Sequence, residues 1–187
     1  MKGVSPIGMP GSGKSTVGKA LAKSLRWQFL DADDIVAEWY GCPIGQLLKD
    51  VGKERFIQWE GDITRRIPLV DTVCSTGGSI VLHKKAMEYL RTESTVVYIR
   101  AKIDDLTERL TKDLTLDQRG IVGFNEVEDV EGIREQLAEI LEQRSGLYES
   151  ACDLRIDSTN DSKGTVQRII DELVGVRNEL RGLLKRK

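Results

Sequence analysis

Gly8-Met9-Pro10-Gly11-Ser12-Gly13-Lys14-Ser15 fits the pattern G-x-x-x-x-G-K-[ST]. An apolar run at 3–7 precedes it. A helical pattern follows from Lys14 to Leu25, with Val17, Leu21 and Leu25 at four-residue spacing. The segment therefore reads as strand, glycine-rich loop, helix. Glycines let the loop aim its backbone N–H groups inward at phosphate oxygens, and the positive end of the helix dipole faces the same anion. A chance glycine turn would not need Lys14 and Ser15 in these places. The segment predicts an ATP-Mg²⁺ site in which Gly11, Ser12, Gly13 and Thr16 cradle phosphate. Lys14 reaches the β- and γ-phosphates, and the Ser15 hydroxyl ligates Mg²⁺.

Outward from this loop, short apolar runs alternate with helical patterns, which argues for βα units and a parallel sheet. Strands are expected at 3–7, 27–31, 72–76, 95–100 and 153–156, and helices at 14–25, 33–40, 44–50, 54–67, 84–91, 103–112, 130–148 and from 163 to about 184. Phe56, Glu60, Ile63 and Ile67 fall on one face of their helix. The fold class is α/β: three layers, with helices on both faces of a five-stranded parallel sheet. Residues 1–187 are expected to form one domain, with a mobile lid at about 112–125 and an acceptor-binding helical segment at about 33–66. Pro6 is the misfit, because a proline in a central strand loses a ladder hydrogen bond.

Asp31-Ala32-Asp33 stands at the carboxyl end of the second strand, where ligands bind in open parallel sheets. Strand alternation would point both aspartates one way and Ala32 the other. Beside ATP-Mg²⁺, Asp31 is suited to holding the metal and Asp33 to orienting, or taking a proton from, an attacking hydroxyl. The plainer alternative is a cap on the next helix.

Composition narrows the field. Of 187 residues, 28 are basic and 30 acidic, so the net charge of -2 gives no reason to expect nucleic acid or a membrane as partner. A basic cluster at 181–187 reads as a solvated helix tail. Cys42, Cys74 and Cys152 are too scattered for a disulfide framework or a zinc site, and suit a reducing cytoplasm. One histidine, His83, disfavours a histidine-based metal site or triad. No apolar run is long enough to span a bilayer. A cytoplasmic monomer acting on a small molecule is expected.

The run GMPGSGKSTVGKALAKSL with FLDADDIVAEWYG resembles the start of a shikimate kinase, a P-loop small-molecule kinase of nucleoside monophosphate kinase-like fold. The resemblance continues through STGGSIV, TVVYI and RSGLYESACDLRID and spans nearly the whole chain. It implies ATP and Mg²⁺ as cofactors and transfer of phosphate to a hydroxyl of a small hydroxylated acid. It implies metal and acceptor roles for Asp31 and Asp33. Gly77 and Gly78 would line the acceptor pocket, Arg119 in the lid would contact phosphates, and Arg144 would bind the acceptor carboxylate. Independently, the stripe Leu137, Leu141, Arg144, Tyr148 is apolar except for one cation. A guanidinium there needs an anion, either a ligand carboxylate or an internal partner such as Glu60.

The sequence also departs from that family. Its members usually carry F-R-x-x-E before the third strand, with the Arg gripping the same carboxylate, whereas this chain has Phe56-Ile57-Gln58-Trp59-Glu60. Ser79 stands where a third glycine is frequent, and the lid segment is longer. Three readings follow. The chain is a shikimate kinase, a sibling kinase with another hydroxy-acid or amino-acid acceptor, or a non-catalytic nucleotide-binding regulator.

Overall fold

The computed structural model describes residues 1–112, 120–124, 129–159 and 161–176. The basic cluster at 181–187, the end of the last helix and most of the expected lid lie outside the described residues.

Five parallel strands form one sheet in the order β2-β3-β1-β4-β5. They are β1 (Gly3–Ile7), β2 (Gln28–Asp31), β3 (Thr72–Ser75), β4 (Ser94–Arg100) and β5 (Leu154–Asp157). The described helices are α1 (Lys14–Leu25), α2 (Ala32–Tyr40), α3 (Ile44–Val51), α4 (Lys53–Thr64), α5 (Lys84–Glu93), α6 (Ile103–Thr111), α7 (Val130–Ala151) and α8 (Ser162–Val176), with a 3₁₀ turn at Ile80–Leu82. The five expected strands and the eight helices are all present, with the ends that fall on described residues shifted by a few residues.

Alternation along the strands builds two cores. Val97 and Ile99 of β4 join Val4, Val73 and Ile156 beneath α1 and α8. Val96 and Tyr98 face the other side, with Ile7, Cys74, Leu90, Leu106 and Leu137. This is the expected three-layer arrangement. A third cluster ties α2, α3 and α4 together through Val36, Ile44, Leu47, Phe56 and Ile63, and takes in Val122.

Pro6 fits because of a gap in the ladder. The β1–β3 register is recorded only at Val4↔Val73. Beyond it the Pro6 carbonyl accepts from the Thr76 N–H and Oγ1 at 3.4 and 3.0 Å. A parallel strand sends a residue's N and O to the same side. The Pro6 nitrogen therefore faces the side where strand pairing has ended.

The sheet order places the loop after β1 at a switch point. The chain leaves β1 toward β2 on one side, and β4 lies on the other. That crevice at the strands' carboxyl ends is where the conserved geometry of such sheets puts ligands.

Candidate active site

Gly8, Gly11 and Gly13 have φ of 147, 77 and 94°. Those values favour glycine, and at Gly8 a Cβ would also stand 2.6 Å from the Ile99 carbonyl oxygen. The loop so formed opens directly into α1. Lys14 is buried and curls over it, donating to the Gly8 and Met9 carbonyls at 3.0 and 2.9 Å. An ammonium held there sits over the ring of loop amides, suited to phosphate oxygens.

Beside it, Ser15 Oγ donates to Asp31 Oδ2 at 2.6 Å and lies 3.2 Å from Ser75 Oγ. Asp31 and Ser75 are register partners on β2 and β3. Asp31 also fills the plainer role foreseen for it, since its Oδ1 accepts from the Asp33 N–H at 3.1 Å and caps α2. The alternation argument is corrected here: the strand ends at Asp31 and the helix starts at Ala32, so helical rather than extended geometry sets Asp33 apart from Asp31.

An open cleft of ≈ 250 Å³ is lined by loop residues Gly11, Gly13, Lys14, Ser15 and Thr16 and also by Asp33, Gly78, Arg109 and Ile121. Gly11, Gly13, Lys14, Ser15, Thr16, Asp33 and Gly78 are thus brought to one cavity. Ser12, within the loop, is fully buried. Arg119 lies outside the described residues.

Gly77 and Gly78 turn the chain between β3 and the 3₁₀ turn because nothing larger fits. A Cβ on Gly77 would lie 2.0 Å from Glu60 Oε1 and 2.6 Å from Asp33 Oδ1, and one on Gly78 would lie 2.7 Å from Pro10 Cδ. Glu60 is fully buried. Its Oε2 accepts from Ser79 Oγ at 2.6 Å, and its Oε1 has no hydrogen-bond partner among the described residues. Burial first, then the nearby Asp33 charge, push its carboxyl up to about 8 from the ordinary 4.5. Cys74 is similarly pushed up, to about 12, chiefly by burial, and is inert as a thiolate.

Arg144 is buried, as the stripe on α7 predicts. Its guanidinium donates to the Gly78 carbonyl at 3.0 Å and to the Val122 carbonyl. The internal Glu60 ion pair considered above is not how it is satisfied; backbone carbonyls take its N–H groups. The Tyr148 hydroxyl also donates to the Gly78 carbonyl, and its ring stacks on Tyr98 with centroids 5.1 Å apart. Two long side chains of α7 thereby fix the glycine turn.

No group of three or more His, Cys, Asp or Glu side chains among the described residues is placed to hold a metal. The oxygens of Ser15, Asp31 and Ser75 still suit a hard cation of the Mg²⁺ type, which is commonly bound by one or two carboxylates together with substrate phosphates. Sequence reasoning missed Ser75, Arg109 and the Glu60–Ser79 bond. Arg109 Nη1 donates to the Gly11 carbonyl at 3.1 Å and to Ser158 Oγ at 3.3 Å, on the edge of the phosphate loop. Only the polar end of the apolar strand TVCS hinted at Ser75.

Among the described residues no helix is long and apolar enough to cross a membrane. A family model described as shikimate kinase matches residues 10–174. The chain is 33% identical to shikimate kinase 2 of Photorhabdus laumondii over 76% of its own length and 78% of that protein. It is 31% identical to a shikimate kinase of Francisella tularensis subsp. novicida over 92% of each. In structure it resembles the shikimate kinase of Acinetobacter baumannii in complex with shikimate, with a TM-score of 0.84, 23% identity and coverage of 95% of each chain.

Proposed function

The chain belongs to the shikimate kinase family and is a phosphotransferase acting on a hydroxyl group; from that premise we propose that it transfers the γ-phosphoryl group of ATP to the 3-hydroxyl of shikimate. The observation that carries this reading is the single cleft lined both by Lys14 and Ser15 and by Asp33 and Gly78. Phosphate loop and candidate acceptor groups open onto one space, as in-line transfer requires.

In this mechanism the loop amides and Lys14 bind the β- and γ-phosphates of ATP. Ser15 and Asp31 would hold Mg²⁺, which when bound would neutralise charge on the phosphates. Asp33 orients the acceptor hydroxyl and takes its proton as the new P–O bond forms. Arg119 spreads charge on the transferring group. Arg144 binds the acceptor carboxylate, and the backbone at Gly77 and Gly78 holds the acceptor.

A second reading is favoured by one residue. Ile57 is half-buried against the apolar cluster of Phe56 and Val36 and brings no cation to the acceptor side. Arg65 pairs with Asp62, and Arg66 lies over the Trp39 ring, so neither of these nearby cations is spent on the cleft. A kinase with another small hydroxy acid as acceptor accommodates this.

Shikimate-dependent ADP release, with the phosphorylated product identified by phosphorus NMR, tests the first reading, run beside Ile57→Arg. Turnover by the wild type supports shikimate. Turnover gained only by the variant supports a different natural acceptor.

A further inference from the structure

We propose that Glu60 is a positioning residue for Asp33: it carries a proton on Oε1 and donates it to the Asp33 carboxylate across Gly77. The inference rests on reading Asp33 as the group that receives the acceptor hydroxyl.

The geometry is specific. Oε1 of Glu60 and Oδ1 of Asp33 flank the same point, 2.0 and 2.6 Å from where a Cβ of Gly77 would stand. Gly77 lacks that atom, and two oxygens so close to one point lie within about 4.6 Å of each other. Both are acceptors when ionised, and two facing carboxylates in a poorly solvated place share a proton rather than carry two charges. Oε1 is buried with no hydrogen-bond partner among the described residues, an arrangement that is costly for a carboxylate oxygen and natural for an O–H aimed at an adjacent carboxylate.

Burial decides which partner holds the proton. Glu60 is sealed from solvent, while Asp33 is half-buried on the open cleft. The charged and polar groups around Glu60 divide, Asp33 favouring the neutral acid and Ser79, Arg144 and Lys14 the carboxylate, without outweighing burial. From α2 comes Asp33, whose charge favours the neutral acid. From the 3₁₀ turn comes the buried Ser79, adjoining its start, with one hydroxyl on Oε2. From α7 and α1 come Arg144 and Lys14, which favour the carboxylate. Arg144 sends its N–H groups to the Gly78 and Val122 carbonyls, and Lys14 donates to those of Gly8 and Met9. His83, at the start of α5, lies against Gly61, the residue after Glu60, and its Nδ1 accepts from the Ala86 N–H. The balance leaves Glu60 raised. A neutral Glu60 gives Asp33 a fixed donor on one oxygen and so sets the orientation in which its carboxylate meets the acceptor hydroxyl.

Two readouts test this. Infrared difference spectra of the full-length protein without acceptor, taken between about pH 6 and pH 10, report the carbonyl stretch of a buried carboxylic acid. The band is expected at the lower pH, lost at the higher, and absent in Glu60→Gln. Its absence from the wild type, or its persistence in Glu60→Gln, would overturn the assignment whatever the acceptor proves to be. In the second readout, kcat with shikimate is followed against pH. The wild type is expected to fall as pH passes about 8. Glu60→Gln, whose amide N–H still donates, keeps kcat within about threefold and loses that fall, while Glu60→Ala drops about tenfold or more at every pH. Ser79→Ala removes a donor that favours the carboxylate, and moves the fall to higher pH. The KM for ATP stays put in all three, which separates the effect from misfolding. A Glu60→Gln enzyme that retains the alkaline fall would remove the positioning role. Failure of the wild type to phosphorylate shikimate, with the infrared band present, would count against the acceptor reading and leave the proton on Glu60.

Discussion

Ser15 Oγ donates to Asp31 Oδ2 at 2.6 Å, joining the end of the phosphate loop to the last residue of β2. Ser75 Oγ, 3.2 Å from the same hydroxyl, completes a set of oxygens at the carboxyl ends of neighbouring strands. If this set holds Mg²⁺, Asp31→Asn raises the Mg²⁺ concentration needed for half-maximal activity by about tenfold or more, and Ser75→Ala by about threefold. Asparagine caps a helix about as well as aspartate, so the α2 cap survives the first change and the melting temperature moves little. Titration with Mn²⁺ followed by electron paramagnetic resonance reads the same loss without turnover. Unchanged Mn²⁺ affinity in Asp31→Asn would place the metal elsewhere.

Gly77→Ala sets a methyl group 2.0 Å from Glu60 Oε1 and 2.6 Å from Asp33 Oδ1. Neither carboxyl is a freely swinging end: Ser79 holds Glu60, and α2 carries Asp33 in its first turn. The expected result is a kcat loss of about a hundredfold or more, because displacing a positioned hydroxyl acceptor by an ångström has that scale of effect. Nucleotide affinity, measured by calorimetry with ADP, is expected to remain within about threefold, since the loop glycines are untouched. A variant with normal kcat would show that Asp33 need not stand where it does.

How far the sequence disclosed all this depends on the range of each contact. The phosphate loop and α1 were legible because Gly8 to Leu25 are local, with the helix spacing of Val17, Leu21 and Leu25 written in the chain. The buried cation at Arg144 was legible for the same reason, as one charge on the stripe of Leu137 and Tyr148. Its partners were not: the Gly78 and Val122 carbonyls lie 66 and 22 residues away, and only the tertiary fold brings them together. Asp31 and Asp33 were found, but their geometry was misjudged. Strand alternation was carried two residues past the point where the Asp31 side chain caps a helix. Ser79 read as a missing glycine, yet its hydroxyl is what holds Glu60 Oε2. Such a bond depends on how α4 meets the turn after β3, which no local pattern encodes.

The raised carboxyl of Glu60 makes stability depend on pH with a definite sign. In the unfolded chain it releases its proton near the ordinary 4.5, and in the folded protein near about 8. Between those values the native state holds the extra proton. The stabilisation linked to it is complete below the lower value, shrinks as pH rises, and is gone above the upper one. Glu60→Gln cannot ionise and lacks this slope. Urea midpoints compared at pH 5, 7 and 9 are expected to show the variant gaining on the wild type at each step, with contributions from other groups common to both proteins. A difference independent of pH would mean that Glu60 titrates alike in the two states.

Arg144→Lys separates the roles of charge and of fork. The guanidinium joins α7 both to the glycine turn at Gly78 and to Val122 in the 120–124 segment. A lysine keeps the charge but presents a point donor on a flexible stem, and cannot satisfy two carbonyls from the fixed positions of a planar fork. One buried carbonyl is left without its donor, so the variant is expected to lose about 1–3 kcal/mol of stability in urea titration. Arg144→Ala strands both and opens a cavity on a face where Leu137 and Tyr148 are fully buried, so it loses more. Under the proposed function the kinetic effect falls on the acceptor: its KM rises about tenfold or more in Arg144→Lys, because the flexible ammonium does not hold the acceptor carboxylate from the same fixed position, while the KM for ATP is unchanged. Arg144→Lys that loses stability but keeps a normal acceptor KM would make Arg144 a strut for the glycine turn, and the acceptor carboxylate would need another cation.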